Sequence, residues 1–239
     1  MNMPALFNRP NRFAAFLGQQ GPQQDPIKRG LEQIEEVKVF FREANAYLSQ
    51  SQHATTNLKF EAVRGLFSKK QKLFIHCDVV REILAAIDFK NEFGFDIVLV
   101  GAGESYQVAE LLKKNNIPVI LSQMHALPTL ADDAVDLPYQ LPALLHKAGV
   151  NAGTAAAYGL PKEDALASIT LNAAKILGIA DRTGSLEVGK DANIVISEGD
   201  ILDMRSSNIS FVMIEGRIAS LTSKHTQLYE RYKYKYNLK

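Results

Sequence analysis

Apolar residues recur every three or four positions through Leu31, Ile34, Val37, Phe41, Ala44 and Leu48, with polar residues between them. That spacing predicts a long amphipathic helix from about Pro26 to Ser49. Asp25 followed by Pro26 gives it a start, an N-cap acid and then a first-turn residue that needs no N–H. A second, shorter helix is predicted around Leu58 to Ser68. The rhythm then changes: LFIHCD, DIVLV and IPVIL are short apolar runs separated by the helical stretches VREILAAIDFKNEFG and ESYQVAELLKKNN. Strands alternating with helices of this length are the mark of βαβ units on a parallel sheet with right-handed crossovers. A loop rich in Leu, Asp and Pro follows, and then a helix, PALLHKAG.

The last third has a different grammar. Pro161 suits a first helical position, and Glu163 and Asp164 fall in a first turn where the macrodipole favours acids. Thr170 is expected to cap a second short helix that Gly178 stops. GSLEVGKDANIVI then reads as turns and a strand, and FVMIEGRIAS as a further strand. The tail YERYKYKYNLK places Tyr229, Tyr232, Tyr234 and Tyr236 among Lys and Arg. Aromatics interleaved with cations can stack on bases, but a short amphipathic helix laid on the barrel is the expectation. Residues 1–25, rich in Asn, Pro, Gln and Gly, read as an irregular arm.

In combination, ALASITLNAAKILGI, GSLEVGKDANIVI and FVMIEGRI resemble the C-terminal end of the metal-dependent amidohydrolase superfamily. LFIHCDVVREILAAIDF and IVLVGAGESYQVAELLKKNNIPVIL narrow the resemblance to imidazolonepropionase-like amidohydrolases, over roughly residues 26 to 236. The resemblance implies an α/β fold, a partial (β/α)8 TIM-type barrel with a small C-terminal β subdomain. Three barrel strands are visible against eight in a complete barrel, so the chain is expected to begin in mid-barrel. The expected divisions are an arm at 1–25, the partial barrel at 26–178, and the β subdomain with its tail at 179–239.

Composition narrows the partners. The 239 residues are 46% hydrophobic, enough for a packed core, and the formal net charge of +1 sets up no field to recruit nucleic acid or an anionic membrane. No segment has the length of a membrane span. The one cysteine, Cys77, excludes an internal disulfide. The chain as written is expected in the cytosol, or exported if it is part of a longer precursor, as relatives in this group often are. Uncovered sheet edges predict self-association.

The resemblance also implies a site. The family's ligands for a divalent metal such as zinc are a His-x-His on the first strand, a carboxylated Lys or Glu on the fourth, a His each on the fifth and sixth, and an Asp on the eighth. His76, at the end of LFIH, stands at the fifth-strand position. Strand alternation puts Asp78 on its face and Cys77 on the other, which excludes a Cys77–His76 dyad in a regular strand. The plainer reading of His76, a strand-end histidine satisfied by hydrogen bonds, stays open, because the other ligands are missing. No His-x-His occurs among His53, His76, His125, His146 and His225. Val100, Gly101 or Ala102 occupies the sixth-strand position, and Val150 runs into Asn151 where the eighth-strand Asp is expected. With one ligand in place, this chain is expected to bind no metal.

Weaker site-lining candidates are Glu104, Tyr106, Gln123 and His125, from the turns that follow the second and third strands. GAGESY lacks the third glycine of a dinucleotide loop, so a tight βα turn is favoured over a nucleotide-binding doubly wound domain. Two functions follow. One is a hydrolase acting on a C–N bond, in a cyclic or peptide-like amide, by metal-activated water and incomplete or inactive as this chain. The other is a non-catalytic interaction or structural remnant of the same fold.

Overall fold

The computed structural model describes residues 1–7, 25–50, 55–122, 134–150, 160–203 and 205–237, and the backbone of 152–153. It divides into two compact units, Met1–Lys162 and Glu163–Lys239.

In the first unit, helix α1 runs from Pro26 to Leu48, and the Asp25 carboxylate accepts the Ile27 N–H at 3.0 Å. Its buried positions are Gly30, Ile34, Phe41 and Ala44, whereas Leu31, expected on the apolar stripe, is 54% exposed. The stripe turns toward Gly30 because the chain at Ala5 and Leu6 crosses there. A Cβ on Gly30 would lie 2.8 Å from both the Ala5 carbonyl oxygen and Leu6 Cδ2. The helix expected over Leu58–Ser68 is two short ones, α2 (Leu58–Ala62) and α3 (Arg64–Phe67), joined at Val63.

Next come β1 (Leu73–Cys77), α4 (Val80–Phe93), β2 (Ile97–Gly101), a 3₁₀ turn (Ser105–Val108), α5 (Ala109–Lys114), β3 (Val119–Ile120), α6 (Leu137–Ala148) and β4 (Ala152–Gly153). The four strands form a parallel sheet in sequence order, with His76 opposite Val100 and Cys77 opposite Gly101. This is a partial (β/α)8 barrel. The fourth strand had no periodic signal because an Ala-Gly pair carries no strand propensity. Helix α6 ends at Gly149 in the left-handed region (φ 77°), and β4 begins three residues later.

Ile75, Cys77, Ile97, Leu99 and Val119 turn one face of the sheet into the core, where they join residues of α1 and α4. At its centre Phe41 meets Phe40, Phe67, Phe89, Phe93 and Phe95 at ring-centroid distances of 5.2–6.4 Å. The opposite face carries Phe74, Val100 and Ile120, all half-buried, and His76, which is exposed.

The start of the expected arm behaves as an added strand edge. Met3 N–H donates to the His76 carbonyl and His76 N–H to the Met1 carbonyl, both at 2.9 Å. Met3 and Leu6 are buried in the core. Alternation over so short a run, MNMPAL, is too weak a signal to reveal this, and Pro4 reads as a breaker. The outer edge of β1, expected to lie open, is therefore covered at His76.

The second unit holds α7 (Lys162–Ile169), α8 (Leu171–Leu177) and an antiparallel sheet ordered β5 (Ile194–Ser197), β6 (Ile209–Ile214), β7 (Arg217–Ile218). Gly178 ends α8 at φ 77°, as expected. Thr170 sits at the N-cap position of α8, but its hydroxyl donates backward to the Leu166 carbonyl at 2.7 Å and caps nothing. Glu215 (φ 48°) and Gly216 (φ 77°) make the two-residue β6–β7 turn, whose paired positive φ values match the twist of the strands. Helix α9 (Lys224–Lys235) starts with a Ser223–Thr226 capping box and has no buried residue; the tail forms the expected helix. Among the described residues no helix is long and apolar enough to cross a membrane.

Candidate functional site

In parallel α/β sheets the carboxyl ends of the strands and the turns after them carry the chemistry. Here that end holds a cleft of about 360 Å³. His76, Cys77, Asp78 and Glu82 line it from β1 and the first turn of α4; Val100, Gly101 and Ser122 line it from β2 and the end of β3; Asn2, Met3, Ala5 and Phe7 form its remaining wall. His76 and Asp78 are exposed in it, while the Cys77 side chain is buried, the alternation expected of a strand.

Two close-fitting turns shape this end of the sheet. Ala102 N–H donates to the Cys77 carbonyl at 2.6 Å and Glu104 N–H to the Asp78 carbonyl at 3.0 Å, so the turn after β2 is bonded to the turn after β1. Gly101 takes φ 92°, and a Cβ there would lie 2.6 Å from Asp78 Oδ1 and 3.0 Å from the Cys77 carbonyl oxygen. Only glycine gives both that dihedral angle and that clearance.

Glu104 is buried, and its carboxylate accepts the Val80 N–H at 2.7 Å, at the start of α4 where the N-cap residue Val79 offers no side chain. It does not line the cleft. Tyr106 packs against the core, and its hydroxyl accepts a hydrogen bond from Gln107 Nε2 at 3.2 Å. Gln123 and His125 lie outside the described residues, as does Asn151 at the expected missing eighth-strand Asp. Glu82, which drew no attention in the sequence, is 5% exposed and lines the cleft. Its two oxygens accept the Asp78 N–H at 2.9 Å and the Leu6 N–H at 3.3 Å. Its only sequence signal is an acid at the third position of a helix, where a carboxylate reaches back to the preceding backbone.

Burial and the nearby Glu82 and Asp78 carboxylates push the Cys77 thiol up to about 12, and its Sγ faces the Ile75 carbonyl at 3.9 Å. A thiol so placed stays protonated at neutral pH and, being buried, is on the side of the strand away from His76. Among the described residues no three His, Cys, Asp or Glu side chains are grouped to hold a metal ion. His76 and Asp78 are a fragment of a donor set, and the described residues do not fit a catalytic zinc, which needs three protein ligands.

Comparison with known proteins agrees with this architecture. The model of the amidohydrolase family matches residues 137–219. An imidazolonepropionase of Erwinia tasmaniensis is 43% identical over 86 residues, 36% of this chain and 20% of that protein. The amidohydrolase tasK of Hapsidospora irregularis is 26% identical over 196 residues, 70% of this chain and 19% of that protein. The alignments thus reach about a fifth of the length of these curated relatives. A crystal structure of an amidohydrolase from Thermotoga maritima superimposes with a TM-score of 0.70 at 27% identity, covering 82% of this chain and 61% of that one. The family model falls on the C-terminal part of the chain, whereas the structural match covers most of it and so takes in parallel sheet as well. With both in agreement, the chain is an imidazolonepropionase-like member of the amidohydrolase superfamily.

Proposed function

We propose that this chain is part of a hydrolase that cleaves a C–N bond in a cyclic or peptide-like amide, and that by itself it is catalytically incomplete. The observation that carries the reading is the placement of His76 and Asp78, side by side at the carboxyl end of a parallel strand and exposed in one cleft, on an amidohydrolase fold. A cyclic amide is the favoured substrate class because the relative with 43% identity is named for an imidazolone, a cyclic amide. Amidohydrolases use a divalent metal to polarise water and carbonyl. Among the described residues, His76 and Asp78 are the ones available to meet such a group or a substrate, and no hydrolytic step is assigned to them alone.

The second reading, a non-catalytic module, is favoured by the carboxylates themselves. Glu82 and Glu104 both accept backbone N–H groups instead of converging on His76. Zinc titration followed by elemental analysis, with hydrolysis of a cyclic amide as the second readout, separates the readings. The proposal expects no stoichiometric zinc and no turnover by the chain alone. It also expects both after addition of a separate polypeptide bearing a His-x-His strand, with loss on His76→Ala. Zinc held equally well by wild type and His76→Ala overturns it. Self-association belongs to the same reading. Val195, Ile196, Ile214 and Ile218 of the antiparallel sheet are exposed apolar side chains, and a clean monomer by light scattering at micromolar concentration would count against it.

A further inference from the structure

We propose that Glu82 is the positioning residue that builds the cleft, tying the wall formed by residues 1–7 to the strand end that presents His76 and Asp78. The proposal rests on the cleft being the ligand site of the reading above, but the tie itself is a matter of hydrogen bonding.

Residues 1–7 have two sets of attachments in this region. Met1 and Met3 bond to the edge of β1 at His76, which fixes the first three residues. Beyond Pro4 the chain leaves the strand, and the Leu6 N–H is buried with its side chain, 3% exposed, against the core. The acceptor of that N–H is Glu82 Oε1, from the first turn of α4, 76 positions away. The other oxygen, Oε2, accepts the Asp78 N–H. One carboxylate thus bridges the outer wall of the cleft, to which Ala5 and Phe7 belong, and the backbone of Asp78 on the opposite side.

The chemistry requires a carboxylate of this length. Two N–H donors converge on two acceptor oxygens, which only an ionised carboxyl group supplies in full. Glutamine has the same shape but replaces one oxygen with an NH₂ that confronts an N–H. Aspartate keeps the charge but falls one methylene short of spanning both donors. Glu104 supplies a natural comparison. It is about as buried and caps the same helix start, yet among the described residues its carboxylate makes a single hydrogen bond, to Val80, and the glutamine oxygen can replace that.

The test uses Cys77, which borders the cleft, shares the buried apolar cluster with Met3 and Leu6, and is the sole cysteine of the chain. Iodoacetamide labelling of Cys77 then reports detachment of the wall with no metal, substrate or activity involved, so its outcome is independent of whether the chain hydrolyses anything. In Glu82→Gln and in Glu82→Asp the labelling rate is expected to rise about tenfold or more, and to stay constant as urea is added below the unfolding transition, the mark of local rather than global opening. Glu104→Gln is expected to label at the wild-type rate. Glu82→Asp matters because removing the Glu82 charge would by itself ease ionisation of the thiol, and this variant keeps the charge. Wild-type labelling in Glu82→Asp, equal acceleration in Glu104→Gln, or a rate that climbs with urea from zero would each overturn the proposal.

Discussion

Val80 and Glu104, 24 positions apart, are joined by a 2.7 Å hydrogen bond from the Val80 N–H to the Glu104 carboxylate. Glu104 returns its own N–H to the Asp78 carbonyl. The two βα turns are therefore coupled in both directions, and the start of α4 is capped from the turn after β2 rather than by its own N-cap valine.

Glu104→Ala removes the acceptor and leaves a buried N–H at a helix start. The expected cost is about 2–3 kcal/mol, the usual range for losing a charged, buried hydrogen-bond partner. Glu104→Gln, which keeps an acceptor in place, should cost clearly less. Urea unfolding of the two variants and wild type measures both, and equal losses would mean that the charge near the helix dipole matters more than the bond.

Gly101→Ala tests the clearance beside Asp78. A methyl group there meets Asp78 Oδ1 at 2.6 Å on a backbone held at φ 92°. Strain of that kind costs on the order of 1–3 kcal/mol, and the variant should lose that much in denaturant unfolding. Because the clash falls on Asp78, its side-chain NMR signals should also move. An unchanged Asp78 would place the strain elsewhere.

These contacts show which parts of the molecule were legible in the sequence. Asp25, Pro26 and the three-to-four spacing led to α1 almost to the residue, since capping and periodicity are local. The period of two in LFIHCD separated His76 and Asp78 from Cys77 for the same reason. Glu82 escaped notice, and Glu104 was read as lining the site rather than capping a helix, because their partners, Leu6 and Val80, lie 76 and 24 positions away and offer only backbone N–H groups, which have no sequence signature. Leu31 was placed on the buried stripe because nothing local announces that Gly30 is where another segment crosses.

Ser105 offers a prediction of the opposite sign. Its hydroxyl is fully buried and has no hydrogen-bond partner among the described residues. An unsatisfied buried hydroxyl is unfavourable, so Ser105→Ala should leave stability unchanged or raise it by about 1 kcal/mol. Thermal unfolding checks this. A loss of comparable size would mean that the hydroxyl holds a buried water.

Cys77 makes stability depend on alkaline pH. Its thiol ordinarily titrates near 9.0 and in the folded chain is pushed up to about 12, first by burial and then by the Glu82 and Asp78 charges. Between these values the unfolded chain has released the proton and the folded chain has kept it. Fewer protons bound in the unfolded state means that stability falls as pH rises, by at most about 1.4 kcal/mol per pH unit. Below pH 9 both states are protonated and the contribution vanishes. Lysines and tyrosines titrate in the same window, so the informative quantity is a difference. In Cys77→Ser, whose hydroxyl does not ionise there, the decline in urea-measured stability from pH 9 to 11 should be shallower than in wild type. Parallel curves for the two proteins would show that the folded chain accommodates the thiolate and that Cys77 is more open to solvent than its buried position implies.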